Sequence, residues 1–132
     1  SEFAERNGLE PLARIVTSAV TGCPPDIMGI GPISSTQKAL ERSGWNIDEV
    51  DIFEINEAFS SQSIAVINEL SIDYQKVNID GGAISLGHPL GASGARIVGK
   101  AASILNRTNS ERAVATMCIG GGMGITIALE RP

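Results

Sequence analysis

Histidine is nearly absent from this 132-residue chain, which has one, and cysteine is almost as scarce, at two. A single His88 with Cys23 and Cys118 far apart excludes a zinc site of the usual ligand spacings. The same two cysteines offer no disulfide framework, so free thiols in a reducing compartment are expected. The cytoplasm is the expected location, with the mitochondrion as the alternative. Basic clusters are missing as well, and a formal charge of -5 argues against nucleic acid as a partner. No apolar run approaches the ~20 residues of a membrane span, so a soluble protein with no membrane partner is expected. Aromatic residues are few, 4% of the chain. The core must therefore be built from Ala, Ile, Val and Leu around abundant glycine, which suits helices packed closely on a sheet.

The length suits one domain, residues 1–132, in which Ser1-Glu2-Phe3 reads as either a cloning remnant or native sequence. Along the chain, Leu12 to Val20 reads as a strand, broken by Cys23-Pro24-Pro25-Asp26. A turn at Met28 to Pro32 leads to a helix from about Ser34 to Ser43, with capping-box spacing at Ser34 and Gln37 and a stop at Gly44. Val50 to Ile55 is a short strand. Ala58 to Leu70 is a helix with Phe59, Ser63, Val66, Ile67 and Leu70 on one face. Val77 to Asp80 reads as another strand, and 91–106 as a helix. That helix carries Arg96, Lys100, Ser103 and Arg107 on one stripe and Ala95, Val98, Ala102 and Leu105 on another. Glu111 to Ile119 and Met123 to Leu129 form an antiparallel pair joined at Gly120 to Gly122. The order predicts an α/β fold, a mixed β-sheet with helices on both faces.

The one histidine lies in DGGAISLGHPLGASGARIVG, residues 80–99. Pro89 biases His88 away from helical dihedrals, so the imidazole sits on a loop just ahead of a helix, where site residues collect. Asn56 sits at a strand-to-helix junction, the usual place for ligand contacts in such sheets. Cys118 precedes three glycines whose backbone N–H groups suit an oxyanion. Each has a plainer reading: His88 as a satisfied structural residue, Cys118 as a small buried hydrophobe, Met28 as ordinary core. Other patterns fail. Gly94 to Ala101 approximates a phosphate loop, but Ala101 stands where a magnesium-binding hydroxyl is needed. Asn106-Arg107-Thr108 is a glycosylation sequon of no consequence without secretion. Glu54 and Glu57 should point different ways, and Asp48, Glu49 and Asp51 read as solvated surface.

Three blocks taken together, Asn56-Glu57-Ala58-Phe59, Gly87-His88-Pro89-Leu90-Gly91-Ala92-Ser93-Gly94 and Cys118-Ile119-Gly120-Gly121-Gly122-Met123-Gly124, resemble the C-terminal half of the thiolases, with the acetyl-CoA C-acetyltransferases the most similar type. The resemblance implies a thiolase-like half-domain, one half of an αβαβα layered fold, acting in Claisen condensation of two acetyl-CoA and the reverse thiolysis. It implies Cys118 as the acid/base, His88 as activator of a cysteine nucleophile carried by the family's other half, Asn56 as holder of a water in one oxyanion hole, and the Gly120 N–H as donor to a second. Met28 and Phe59 would line the acyl and pantetheine pocket. Coenzyme A is then the substrate carrier, with no metal and no tightly bound cofactor. The partners implied are the acyl-CoA substrate, the missing N-terminal half, and further copies in a homodimer or homotetramer. Alone, such a chain would be inactive. Two other readings stand beside it: a non-catalytic half-thiolase used for binding or dimerisation, and a self-contained hydrolase in which Cys118 and His88 form a dyad.

Overall fold

The computed structural model describes residues 1–132. A four-stranded sheet runs in the order β1-β4-β3-β2, with β1 Arg14–Gly22, β2 Ile52–Ile55, β3 Arg112–Ile119 and β4 Met123–Glu130. β2 and β3 are parallel, while β3 with β4 and β4 with β1 are antiparallel. The expected mixed sheet and the hairpin over Gly120 to Gly122 are both present. Five α-helices accompany it: α1 Glu2–Arg6, α2 Gly31–Ser43, α3 Ser60–Glu69, α4 Ala83–Leu86 and α5 Ser93–Thr108. None is long and apolar enough to cross a membrane.

Strand alternation builds two cores. Phe53, Ile55 and Val114 face one way and bury against Leu40 of α2 and Val66 and Ile67 of α3. Ile52, Ala113, Ala115 and Leu129 face the other way, onto Ile97, Ala101, Ile104 and Leu105 of α5. The buried line of α5 thus runs one column over from the expected strip: Ala102 and Leu105 are buried, but Ala95 is exposed. α2 lies so close to β4 that a Cβ at Gly31 or Gly124 would overlap the other segment's backbone. Between them, Ser35, Thr36, Thr116 and Thr126 form a buried cluster of hydroxyls.

Several boundaries differ from expectation. α2 begins at Gly31 with Pro32 in its first turn, where a missing N–H costs nothing. Ser34 therefore sits inside the helix, bonding Thr21 Oγ1 at 2.7 Å rather than capping with Gln37. Gly44 does end the helix, at φ 71. α3 starts only at Ser60, and Phe59, extended and 62% exposed, caps it instead of joining its apolar face. Val77 to Asp80 is not a strand: Val77 makes one parallel bridge with Phe53, and the chain then turns at Asn78 with φ 45. The acidic group is also more than solvated surface. Asp51 accepts from the N–H groups of Glu111 and Arg112 at 2.8 and 3.0 Å, and Glu49 pairs with Arg112 at 2.6 Å. The short α1, capped by Ser1, was not expected from its sequence.

Candidate active site

The site forms at the carboxyl ends of the parallel pair β2 and β3, where open α/β sheets present ligands. Asn56 follows β2 directly, and its N–H donates to Thr116 O at 2.9 Å, extending the ladder by one step. The missing strand is replaced by a side chain: the Asn78 amide accepts from Ile55 N and donates to Ile55 O, both at 2.9 Å. Asn78 Nδ2 also donates to Glu57 Oε1 at 2.8 Å, while the other Glu57 oxygen accepts from Ile84 N at 2.9 Å. Gly82 lies against that carboxylate with no room for a Cβ. Glu54 points elsewhere, as expected, into the interior with its Oε1 unpartnered. Further along, Asp80 pairs with Lys100 at 2.5 Å and Arg107 at 2.9 Å, so the polar stripe of α5 clamps the loop that carries His88. The two cations, Arg107 first, pull the Asp80 carboxyl down to about 2.

His88 is half-buried and held at both ring nitrogens. Nδ1 lies 2.6 Å from the fully buried Ser93 Oγ, which in turn donates to Pro89 O at 3.1 Å. Nε2 lies 3.3 Å from Asn56 Nδ2, and Arg96 donates to Asn56 Oδ1 at 3.4 Å. Asn56 itself is 1% exposed.

A cleft of about 410 Å³ opens beside His88, lined also by Met28, Ala58, Phe59, Leu90, Met117, Cys118, Ile119 and Gly120. Five of the six residues singled out from the sequence line it. Asn56 does not, and joins the group through its bond to His88. Burial pushes the Cys118 thiol up, with Cys23 adding to the effect and a backbone hydrogen bond opposing it, so the surroundings disfavour the thiolate. Cys118 is not among the hydrogen-bond partners of His88, which are Asn56 and Ser93.

The sequence gives no site role to Ser93, Arg96, Asn78 or Glu57. Ser93 was legible in principle, since it follows His88 by a helical turn's reach within the same glycine-rich block. Arg96 falls one turn further along the same helix, where a functional reading competes with an ordinary solvated stripe. Nothing local marks Asn78, whose role appears only once β2 is placed beside it.

The family model for the thiolase C-terminal domain matches residues 9–131. The acetyl-CoA acetyltransferase of Chromobacterium violaceum is 50% identical over the whole of this chain, which covers 34% of that protein. The cytosolic acetyl-CoA acetyltransferase of Mus musculus is 52% identical over 97% of this chain and 32% of its own length. Among solved structures, the human mitochondrial 3-ketoacyl-CoA thiolase superimposes with a TM-score of 0.97 at 43% identity, covering all of this chain and 33% of that one; it has also been solved in complex with CoA. The chain spans about a third of the length of the relatives it matches. With the domain matched over residues 9–131 and half of its residues shared with the Chromobacterium violaceum acetyl-CoA acetyltransferase, this chain belongs to the thiolase family and corresponds to its C-terminal domain.

Proposed function

We propose that this chain supplies the acid/base half of a thiolase site that joins two acetyl-CoA into acetoacetyl-CoA and cleaves the product in reverse, as part of a longer polypeptide whose remainder carries the nucleophilic cysteine. The observation that carries the reading is the placement of His88 and Cys118 on one largely apolar cleft, with Asn56 hydrogen-bonded to His88.

The protons can be followed through the cycle. His88 takes the proton of the nucleophilic cysteine as its sulfur attacks the first thioester carbonyl. The tetrahedral oxyanion is held by backbone donors that include the Gly120 N–H. As the carbon–sulfur bond to CoA breaks, Cys118 gives its proton to the departing thiolate. The Cys118 thiolate then removes an α-proton from the second acetyl-CoA, and a thiol whose pKa is raised by burial makes a strong base once deprotonated. Imidazolium at His88, with a water held by Asn56, stabilises the enolate oxygen. The enolate carbon attacks the acyl-enzyme carbonyl, acetoacetyl-CoA departs, and the nucleophile regains its proton from His88. Cys118 keeps the proton it took, so the cycle closes.

Met28 and Phe59 line the cleft where the acyl group and pantetheine arm would lie, and its apolar walls strengthen each charge interaction by excluding water. With a net charge of -5 on this chain, cations for the CoA phosphates come from outside it. Replacing Cys118 by Ala in the full-length protein should lower acetoacetyl-CoA formation by about 10²–10⁴-fold, the range for a positioned acid/base, with His88→Ala at least as damaging. A Cys118→Ala enzyme that condenses at the parent rate would remove the reading.

A further inference from the structure

The acid/base scheme needs His88 to present an unprotonated nitrogen toward the reacting groups, yet a neutral imidazole can carry its proton on either nitrogen. The surrounding hydrogen bonds select one, and the selection starts at Arg96. A guanidinium only donates. Of the two ends of the Asn56 amide, only Oδ1 can therefore face Arg96, and it accepts from the guanidinium at 3.4 Å. The amide nitrogen must then point the other way, toward His88 Nε2 at 3.3 Å. Because that nitrogen is itself a donor, Nε2 has to be the acceptor. The ring proton is left on Nδ1, which donates to Ser93 Oγ at 2.6 Å, and the Ser93 hydroxyl in turn donates to Pro89 O at 3.1 Å.

We propose that Arg96 is a positioning residue, which fixes the orientation of the Asn56 amide and through it the Nδ1–H tautomer of His88. Asn56 is 1% exposed, so water cannot freely satisfy a reversed amide. Reversal would set amide N–H against guanidinium N–H, a repulsive contact in a buried setting, and would put the amide oxygen against Nε2, which would then have to carry the ring proton. Behind that contact the guanidinium is enclosed rather than bonded. Its Nε is buried without a hydrogen-bond partner, and Glu54, in β2 on the same side of the sheet as α5, is near enough to feel its charge after that of Lys100. Ser93 is permissive in this chain of bonds, because a hydroxyl can either accept or donate. Asn56 cannot reverse roles while Arg96 is present.

His88 is the only histidine in the chain, so long-range proton–nitrogen NMR of the histidine-labelled chain at about pH 8, above the ordinary imidazole range, reads its tautomer without ambiguity. The inference gains its meaning from the acid/base reading, but the measurement needs no turnover, and either can fail while the other stands. In the parent chain, Nδ1 should appear protonated and Nε2 unprotonated. Ser93→Ala should keep that pattern. Arg96→Met should lose it, giving intermediate shifts at both nitrogens as the amide and the proton exchange positions, and Arg96→Lys should restore it in part. An Nε2–H parent, a Ser93→Ala chain that switches to Nε2–H, or a folded Arg96→Met chain with an unchanged tautomer would each overturn the proposal. Where Arg96→Met fails to keep the amide fingerprint of the parent, Asn56→Asp decides. It puts an acceptor against Nε2 and should move the proton there; an unchanged Nδ1–H would refute the chain of bonds.

Discussion

Thr126 Oγ1 lies 2.7 Å from Ser35 Oγ, 3.2 Å from Thr36 Oγ1 and 2.7 Å from Thr116 Oγ1, with all four residues at most 1% exposed. A buried hydroxyl that loses its partner keeps the cost of leaving water. Thr126→Val keeps the side-chain shape but leaves Thr36 without its partner, while Ser35 and Thr116 keep Pro32 O and Ile125 O, so it should destabilise the fold by about 1–3 kcal/mol in urea denaturation. Glu54 is a second buried polar group with an incomplete set of partners. Burial raises its carboxyl to about 7, against 4.5 ordinarily, in spite of Lys100 and Arg96. Between those two values the folded chain holds a proton that the unfolded chain has released, so this group's contribution to stability falls as pH rises from about 4.5 to about 7 and is level above. Glu54→Gln should therefore stabilise the chain more at about pH 8 than at about pH 5, read from denaturation midpoints, whereas a gain independent of pH would mean that Glu54 stays ionised throughout. At this scale the residues legible in advance were those in glycine-rich or strand-end blocks: His88, Cys118 and Asn56. Ser93 shares the glycine-rich block of His88 but nothing in the pattern assigns it a partner, and Arg96 carried no mark at all, because a charged residue on a helix looks the same whether it orders a site or meets solvent.

Elements were legible where the local pattern and the packing agree. The β3–β4 hairpin has strand-forming runs on both sides of its glycines, and α5 shows its apolar period plainly. The missing strand at 77–80 shows the opposite case. A β-branched run favours extension, but after one bridge the backbone turns at Asn78, and the side-chain amide takes over the pairing with Ile55 that another strand residue would have made. Such a substitution of side chain for backbone depends on where β2 lies and leaves no periodicity to read. The start of α2 was misplaced because Gly31-Pro32 reads as a turn, whereas its glycine serves close packing. Gly31 and Gly124 bring α2 and β4 together, so Gly124→Ala should push the two apart and cost about 1–3 kcal/mol or more. Gly99 gives the contrasting outcome. It lies inside α5, exposed, with nothing within 4 Å of a Cβ, so Gly99→Ala should raise stability by about 0.5–1 kcal/mol. Thermal melts of the two variants check both signs.

Taken as a whole, the molecule places its chemistry on one rim. β2 and β3 are the only parallel neighbours in the sheet, and their carboxyl ends bring Asn56 and Cys118 to the same edge, though strand alternation sets Asn56 on the α5 side and Cys118 with Thr116 on the α2 side. His88 bridges the two from the loop held by Asp80, Lys100 and Arg107. The layered arrangement could be read from the order of the elements, but the meeting of both sides at the rim depends on a long loop and could not. The central claim is that Cys118 moves the α-proton of acetyl-CoA. The most direct measurement is deuterium uptake into the acetyl methyl group in heavy water, followed by mass spectrometry in the full-length protein and its Cys118→Ala variant. The parent should exchange, and the variant should lose about 10²–10⁴-fold of that rate; exchange that continues at the parent rate without Cys118 would contradict this role.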